Sequence, residues 1–316
     1  MSIVRVPFFD RLDAARTVLV AGAGGGFDVY AGLPIAFALR SLGKTVHLAN
    51  LTFSYLGGAD VGWITPHLAE VTPTSEGRDE YFPERTLAQW LRSRDLPSSV
   101  YAFEKTGVAP LRESYRTLVD RLGVDAIVLV DGGTDILMRG DEAGLGTPEE
   151  DMTTLAAVSK LDVPTKLVAS IGFGIDAYHG VCHAHFLENV AALDREGGYL
   201  GAFSVPQSSP EGAAFLDAVN DANTKTPSRP SIVNGSIASA IRGEFGNAQF
   251  TARTRSSELF INPLMSLYFT FDVGAVARRS LYLPMLEGTR EIFDVARIIE
   301  GFRAGTRKRA RQAIPH

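Results

Sequence analysis

A lone cysteine, Cys182, is the only thiol in this chain. It excludes an internal disulfide framework and any CxxC zinc or redox motif. Long apolar runs are missing too: nothing approaches the ~18 uninterrupted apolar residues of a spanning helix, and residues 1–10 lack the apolar stretch of a signal segment. The expected setting is therefore the cytoplasm, with no membrane partner. Positive charge is in deficit, with 31 Lys+Arg against 36 Asp+Glu and a formal charge of −5, which argues against a nucleic-acid partner. What is present is the composition of a globular protein, 45% hydrophobic and 21% charged over 316 residues, enough for a substantial core. A small-molecule ligand is the expected partner, and a homo-oligomer is left open.

The chain repeats a βα grammar, in which a β-branched run ends in glycines or a polar loop and an amphipathic stretch follows. Strands are expected at 17–20, 45–48, 126–130, 166–171 and 199–205. Residues 28–42 read as a helix interrupted near Gly32 and Pro34 and stopped by Gly43. Between 51 and 124 the pattern weakens into an excursion with helices at 83–91 and 111–122. Further helices are expected at 185–193, 211–222, 236–241, 273–278 and 292–302, around a short strand at 249–252. The most apolar segment, 259–271, is broken by Asn262 and Pro263 and reads as buried core. The expectation is one α/β domain over 1–316 with a helix-rich part at 207–302. The basic run at 303–311 within the 303–316 tail reads as a solvated helix end whose deletion is tolerated.

Three elements carry candidate chemistry. The turn Gly22-Ala23-Gly24-Gly25-Gly26 follows a strand and opens a helix, the context in which backbone N–H groups and the helix dipole attract an anion. It is not a dinucleotide fingerprint, because Phe27 occupies the third glycine position and Asp28 repels a pyrophosphate. Asp131-Gly132-Gly133-Thr134-Asp135 ends the most apolar strand, where open α/β sheets place ligands. Its two carboxylates suit a ribose diol, water activation or a divalent cation, and equally an Asx turn with a helix cap. Arg139, Asp141 and Glu142 continue that polar run. The segment 172–189 gathers His179, His183 and His185 with Cys182 and Glu188. Its HxxxHxH spacing matches no established zinc pattern, so His179 or His183 is read as an acid or base rather than a ligand. Asn234, Ser236 and Asn262 interrupt apolar surroundings, as buried hydrogen-bonding groups or as specificity contacts.

The ordered set GAGGGFDVYAGLP, DGGTDILMRGDE, IGFGIDAYHGVCHAHFLENVAAL, SIVNGSIASAIRGEFG and INPLMSLYFTFD resembles a prokaryotic family of domains of unknown function, the 1152 family, from about residue 18 to residue 302. The resemblance implies a shared architecture and brings no activity, so no residue role is carried over. The glycine turn and the GGT element also have a looser likeness, at the level of fold, to Rossmann-like nucleotide phosphoribohydrolases.

The expected architecture is a doubly wound, mainly parallel, Rossmann-like α/β sheet with helices on both faces. The expected function is hydrolytic cleavage of a nucleoside- or nucleotide-like small molecule, with a group transferase and a non-catalytic nucleotide sensor as alternatives. In that reading Asp131, Asp135, His179 and His183 are catalytic. Gly22, Gly24, Gly25, Gly26, Asp28, Gly132, Gly133, Thr134, Asn234 and Asn262 bind ligand. The cofactor is open: the carboxylates admit a divalent cation, and the histidine spacing argues against zinc.

Overall fold

A computed structural model describes residues 5–314, so residues 1–4 and the last two residues of the basic tail lie outside the described part. In chain order the elements are α1 (Pro7–Leu12), β1 (Thr17–Gly22), α2 (Asp28–Ala31), α3 (Leu33–Ser41), β2 (Thr45–Leu51), β3 (Gly62–Thr65) and β4 (Leu68–Val71). There follow α4 (Pro83–Arg92), β5 (Val100–Phe103), α5 (Val108–Leu122), β6 (Ala126–Asp131), α6 (Pro148–Ser159), β7 (Thr165–Ser170) and α7 (His183–Arg195). The chain ends through β8 (Tyr199–Ser204), α8 (Pro210–Lys225), α9 (Ile232–Ile241), β9 (Leu267–Asp272), α10 (Val273–Arg279) and α11 (Ile292–Gly305).

The strands form a nine-stranded sheet in the order β3-β4-β5-β2-β1-β6-β7-β9-β8. Its centre, β5-β2-β1-β6-β7, is parallel, with β1 held between β2 and β6. Both flanks are antiparallel, through β3–β4–β5 on one side and β7–β9–β8 on the other. The sheet is thus mixed where a mainly parallel one was expected. The excursion after β2 folds back on itself as a β3–β4 hairpin, and β9 enters between β7 and β8 without a parallel crossover.

Alternation along the strands explains the two-sided core. Leu19, Ala21, Ile127 and Leu129 face a layer that includes Leu111, Tyr115, Leu155, Phe186 and Ile299. Val18, Val20, Val128 and Val130 face Phe8, Leu33, Leu87, Phe215 and Ile237. Successive strand residues point to opposite faces, so strands apolar at every position need helices on both. At roughly 2 kcal/mol for each buried Val, Leu or Ile, these two layers are the dominant stabilising term.

Pro34 sits in the first turn of α3, where a missing N–H is harmless, and Gly32 makes the junction with α2; a side chain there would meet Val20 Cγ1 at 2.7 Å. The expected strand at 249–252 is absent: the chain is irregular there and turns into a short 3₁₀ segment at Ala252–Thr254. Instead the apolar run read only as core supplies β9, because Asn262 caps a turn through Leu264 N–H and Leu267 then enters the sheet. Among the described residues no helix is long and apolar enough to cross a membrane.

The basic run is not a frayed end. Arg303 Nη1 donates to the carbonyls of Gly140 (3.0 Å) and Glu142 (2.7 Å). Beyond α11 the chain runs back as a strap, and Arg309 Nε donates to Asp141 Oδ1 at 3.0 Å and pairs with Glu188. Ile314 reaches a largely apolar cavity lined by Phe173, His183, Phe260, Asn262 and Leu264. The acids at 141, 142 and 188 account for the fold-back, since the basic residues find opposite charge on the body.

Candidate functional site: a buried carboxylate cluster

The carboxyl ends of β1 and β6 lie side by side, with the connections from them departing to opposite sides of the sheet. Such a reversal leaves a crevice that no crossing connection covers. Asp28 reaches it from the first turn of α2, Asp131 from the last position of β6 and Asp151 from the first turn of α6. Carboxylate oxygens of these three residues lie within 4.8 Å of one another. Asp135 and Asp176 sit in the two 3₁₀ segments beside them.

Glycines make this crowding sterically feasible. A Cβ on Gly24 would lie 2.8 Å from both Asp28 Oδ2 and Asp151 Oδ2, and one on Gly132 would lie 2.8 Å from Asp28 Oδ1. At Gly133 it would meet Asp131 and Asp176 oxygens, each at 2.9 Å. Four of the carboxylates are buried, and Asp28 is partly exposed. Among the described residues none of the five pairs with a Lys or Arg.

Their partners are neutral and unequal. Asp176 Oδ2 accepts from Thr134 N (2.6 Å) and Oγ1 (3.1 Å), and Asp135 Oδ2 from Thr147 N (2.8 Å) and Oγ1 (3.3 Å). Asp28 Oδ2 accepts from Gly24 N at 2.8 Å. Asp131 has only long contacts, from Ile136 N (3.4 Å) and Ser170 Oγ (3.5 Å). Asp151 Oδ1 is buried without any partner. Burial first, then mutual repulsion, pushes the Asp131 and Asp151 carboxyls well above the usual range. Burial also raises Asp176, with Asp135 adding to it, and raises Asp135 against the pull of Thr147. Asp28 is pushed up to about 7, chiefly by burial and against the Gly24 N–H.

The glycine turn meets this crevice differently from the anion cradle expected of it. Gly24 N–H is taken by Asp28, and Gly26 N–H donates to Leu51 O at 3.1 Å. The turn therefore positions the Asp28 carboxylate of α2 rather than an external anion. Gly22 is required by packing, since a Cβ there would stand 2.3 Å from Asn50 Oδ1. Gly25 and Gly26 have φ of +93° and +64° and lie under the Phe53 ring, so a side chain at Gly25 meets both strain and a 2.6 Å clash. Asn50 Nδ2 supports the turn from below, donating to Gly26 O and to Glu84 Oε1, each at 2.7 Å.

Burial pushes the Glu84 carboxyl up to about 7. With a folded value above the unfolded one, its contribution to stability is complete below about pH 4.5 and is lost as pH rises through about 7. Glu84→Gln keeps an acceptor for Asn50 and does not ionise. The wild type is expected to lose on the order of 2 kcal/mol relative to this variant between pH 5 and pH 8, read from denaturant melts at both values. Parallel pH profiles would show that Glu84 is ionised throughout.

The other expected residues are dispersed. His179 is exposed at the crevice rim, near enough to Asp135 to lower that carboxyl. His183 instead faces the apolar cavity with Asn262, its ring 5.2 Å from that of Phe173, and burial lowers its pKa. Asn262 Nδ2 donates to the Phe260 carbonyl at 3.0 Å, and Asn234 Nδ2 to the Phe27 carbonyl at 3.0 Å. Both tie loops together, though Asn234 Oδ1 is left unpartnered. His185 is buried and accepts from Ala143 N at 3.4 Å. Cys182 lies against Gln312: burial pushes its thiol up, and backbone N–H groups of Gln312, His185 and Ala184 outweigh that and lower it. Sequence reasoning missed Asp151, whose signal was the helix start Thr147-Pro148-Glu149-Glu150-Asp151.

Fold and site together define an α/β protein with a cluster of aspartates at the carboxyl edge of its sheet. Residues 57–306 match the family described as Protein of unknown function (DUF1152), and the chain belongs to that family. The matched span contains four of the five aspartates, while Asp28 and the glycine turn precede it. Comparison with curated proteins and with solved structures finds no match.

Proposed function

We propose that this protein is a hydrolase that cleaves a nucleoside- or nucleotide-like small molecule. The observation that supports the reading is the convergence of Asp28, Asp131, Asp135, Asp151 and Asp176 where the order of the parallel strands reverses. We take those five strands as a Rossmann-like unit, whose switch point is the usual seat of such ligands. Clustered carboxylates suit a polyhydroxylated ligand, because each accepts hydrogen bonds from sugar hydroxyls.

In this reading Asp131 and Asp135 orient the hydroxyls and take the proton of an attacking water. His179, on the rim, gives a proton to the leaving base as the glycosidic C–N bond breaks. The Phe53 ring is half exposed against Gly25 and Gly26; Lys105 Nζ sits over it, 4.7 Å from its centroid, so a planar base would stack there by displacing that side chain. Stacking of that kind is worth about 1–3 kcal/mol per base.

Incubation with a panel of nucleosides and nucleotides, followed by chromatography of released base and phosphate, tests the proposal. At least one class is expected to yield free base in a time-dependent way. Saturable binding across the panel with no product would replace the hydrolase by a sensor.

A further inference from the structure

We propose that Asp28, Asp131 and Asp151 hold one hard divalent cation of the Mg²⁺ or Ca²⁺ kind. The inference deepens the hydrolase reading by assigning that site an ion, and its test needs no substrate.

Geometry comes first. An ion about 2.4 Å from each ligand oxygen places those oxygens about 3.4 to 4.8 Å apart, for cis and trans positions respectively. The three side chains already offer oxygens within 4.8 Å of one another. They come from the ends of a strand and two helices, so the array is fixed by the backbone rather than by flexible loops.

Asp151 supplies an independent observation. It is 3% exposed, its Oδ1 has no hydrogen-bond partner, and that oxygen lies 3.1 Å from the position of a Cβ on Gly24 that would also meet Asp28 Oδ2 at 2.8 Å. A buried acceptor left unpaired costs about 1–3 kcal/mol, and more if charged. Among the described residues no Lys or Arg pairs with it. Gly24, moreover, leaves open the space in which a Cβ would collide with both Asp28 and Asp151. An all-carboxylate set selects Mg²⁺, Ca²⁺ or Mn²⁺ over zinc, which favours His and Cys. Asp28 is partly exposed, so remaining coordination positions on its side would be open to water or to a ligand's oxygens. An ion there would supply charge neutralisation and polarisation of a bound oxygen.

Titration of the chelator-treated protein with Mn²⁺, followed by electron paramagnetic resonance, reads the site directly. One Mn²⁺ per chain is expected, displaced by Mg²⁺ or Ca²⁺, with a rise in melting temperature on binding. Asp151→Asn is expected to weaken Mn²⁺ at least 30-fold without lowering the metal-free melting temperature. Should Asp151→Asn fail to fold, Asp28→Asn at the partly exposed position carries the same expectation. No saturable site below about 1 mM, or unchanged affinity in the folded variant, would overturn the proposal and leave the carboxylates neutralised by protons. A bound ion with an inert substrate panel sinks the hydrolase reading alone; turnover by a protein that shows no saturable Mn²⁺ site sinks the ion alone.

Discussion

Asp131→Asn is expected to abolish most turnover, by about 10²-fold or more, while leaving the metal-free protein as stable as wild type or more so. The two halves of this expectation have one cause. Asp131 is 2% exposed, and its carboxyl is raised by burial and by Asp135, Asp176 and Asp28. Removing its charge relieves repulsion that folding must overcome. The Asn side chain is isosteric and retains an oxygen for the long contacts from Ile136 N and Ser170 Oγ. A residue whose purpose is structural behaves in the opposite way, losing stability when its hydrogen bonds weaken. Keeping five carboxylates together is thus a standing cost to the fold, and on the proposed reading it is the usual trade between activity and stability. Kinetics on the released base and a thermal melt in chelator measure both halves. Turnover near wild type with a melting temperature lowered by several degrees would return Asp131 to the turn-and-cap role.

How far the site was legible in the chain follows from which forces are local. The strand β6 could be read because every position from Ala126 to Val130 is apolar, and Asp131 stood out as the charge that ends it. Gly132 and Gly133 read from the chain as ligand contacts, whereas the groups packed against them are carboxylates, Asp28 at the first and Asp131 and Asp176 at the second. Asp151 escaped because its sequence neighbours make it an ordinary acidic first turn, and only the packing of α6 beside β1, with Thr154 Oγ1 donating to Ala23 O at 2.9 Å, aims it at the crevice. The histidine segment misled by density. Its residues share a stretch of chain, but helix α7 carries His183 toward the apolar cavity while His179 stays on the acidic rim. The antiparallel flanks were hidden for a related reason. Pairing of β9 between β7 and β8 joins segments far apart in the chain, and alternation alone does not reveal strand order.

Ending the chain at Gly305 is expected to destabilise it by about 2 kcal/mol, contrary to what the composition of the tail suggests. The strap carries Arg309, whose guanidinium lies 3.0 Å from Asp141 Oδ1 and 3.3 Å from Glu142 Oε1 and pairs with Glu188. Glu142 is fully buried, and its remaining support is neutral: Arg139 N (3.0 Å), Gly140 N (2.8 Å) and Asn189 Nδ2 (2.8 Å). Breaking a buried pair by removing one partner typically costs about 3–5 kcal/mol, and the three neutral donors together with the partial exposure of Arg309 reduce that here. Arg309→Ala should account for most of the loss, whereas the exposed Arg307 and Lys308 should each change stability by less than about 0.5 kcal/mol when replaced by alanine. The loop under the strap, 139–143, follows directly on the segment that carries Asp135, yet Asp28, Asp131 and Asp151 are held by other elements. The truncated chain should therefore keep its affinity for Mn²⁺ within about threefold while melting several degrees lower. A truncated protein that melts with the wild type would show the strap to be a surface contact only.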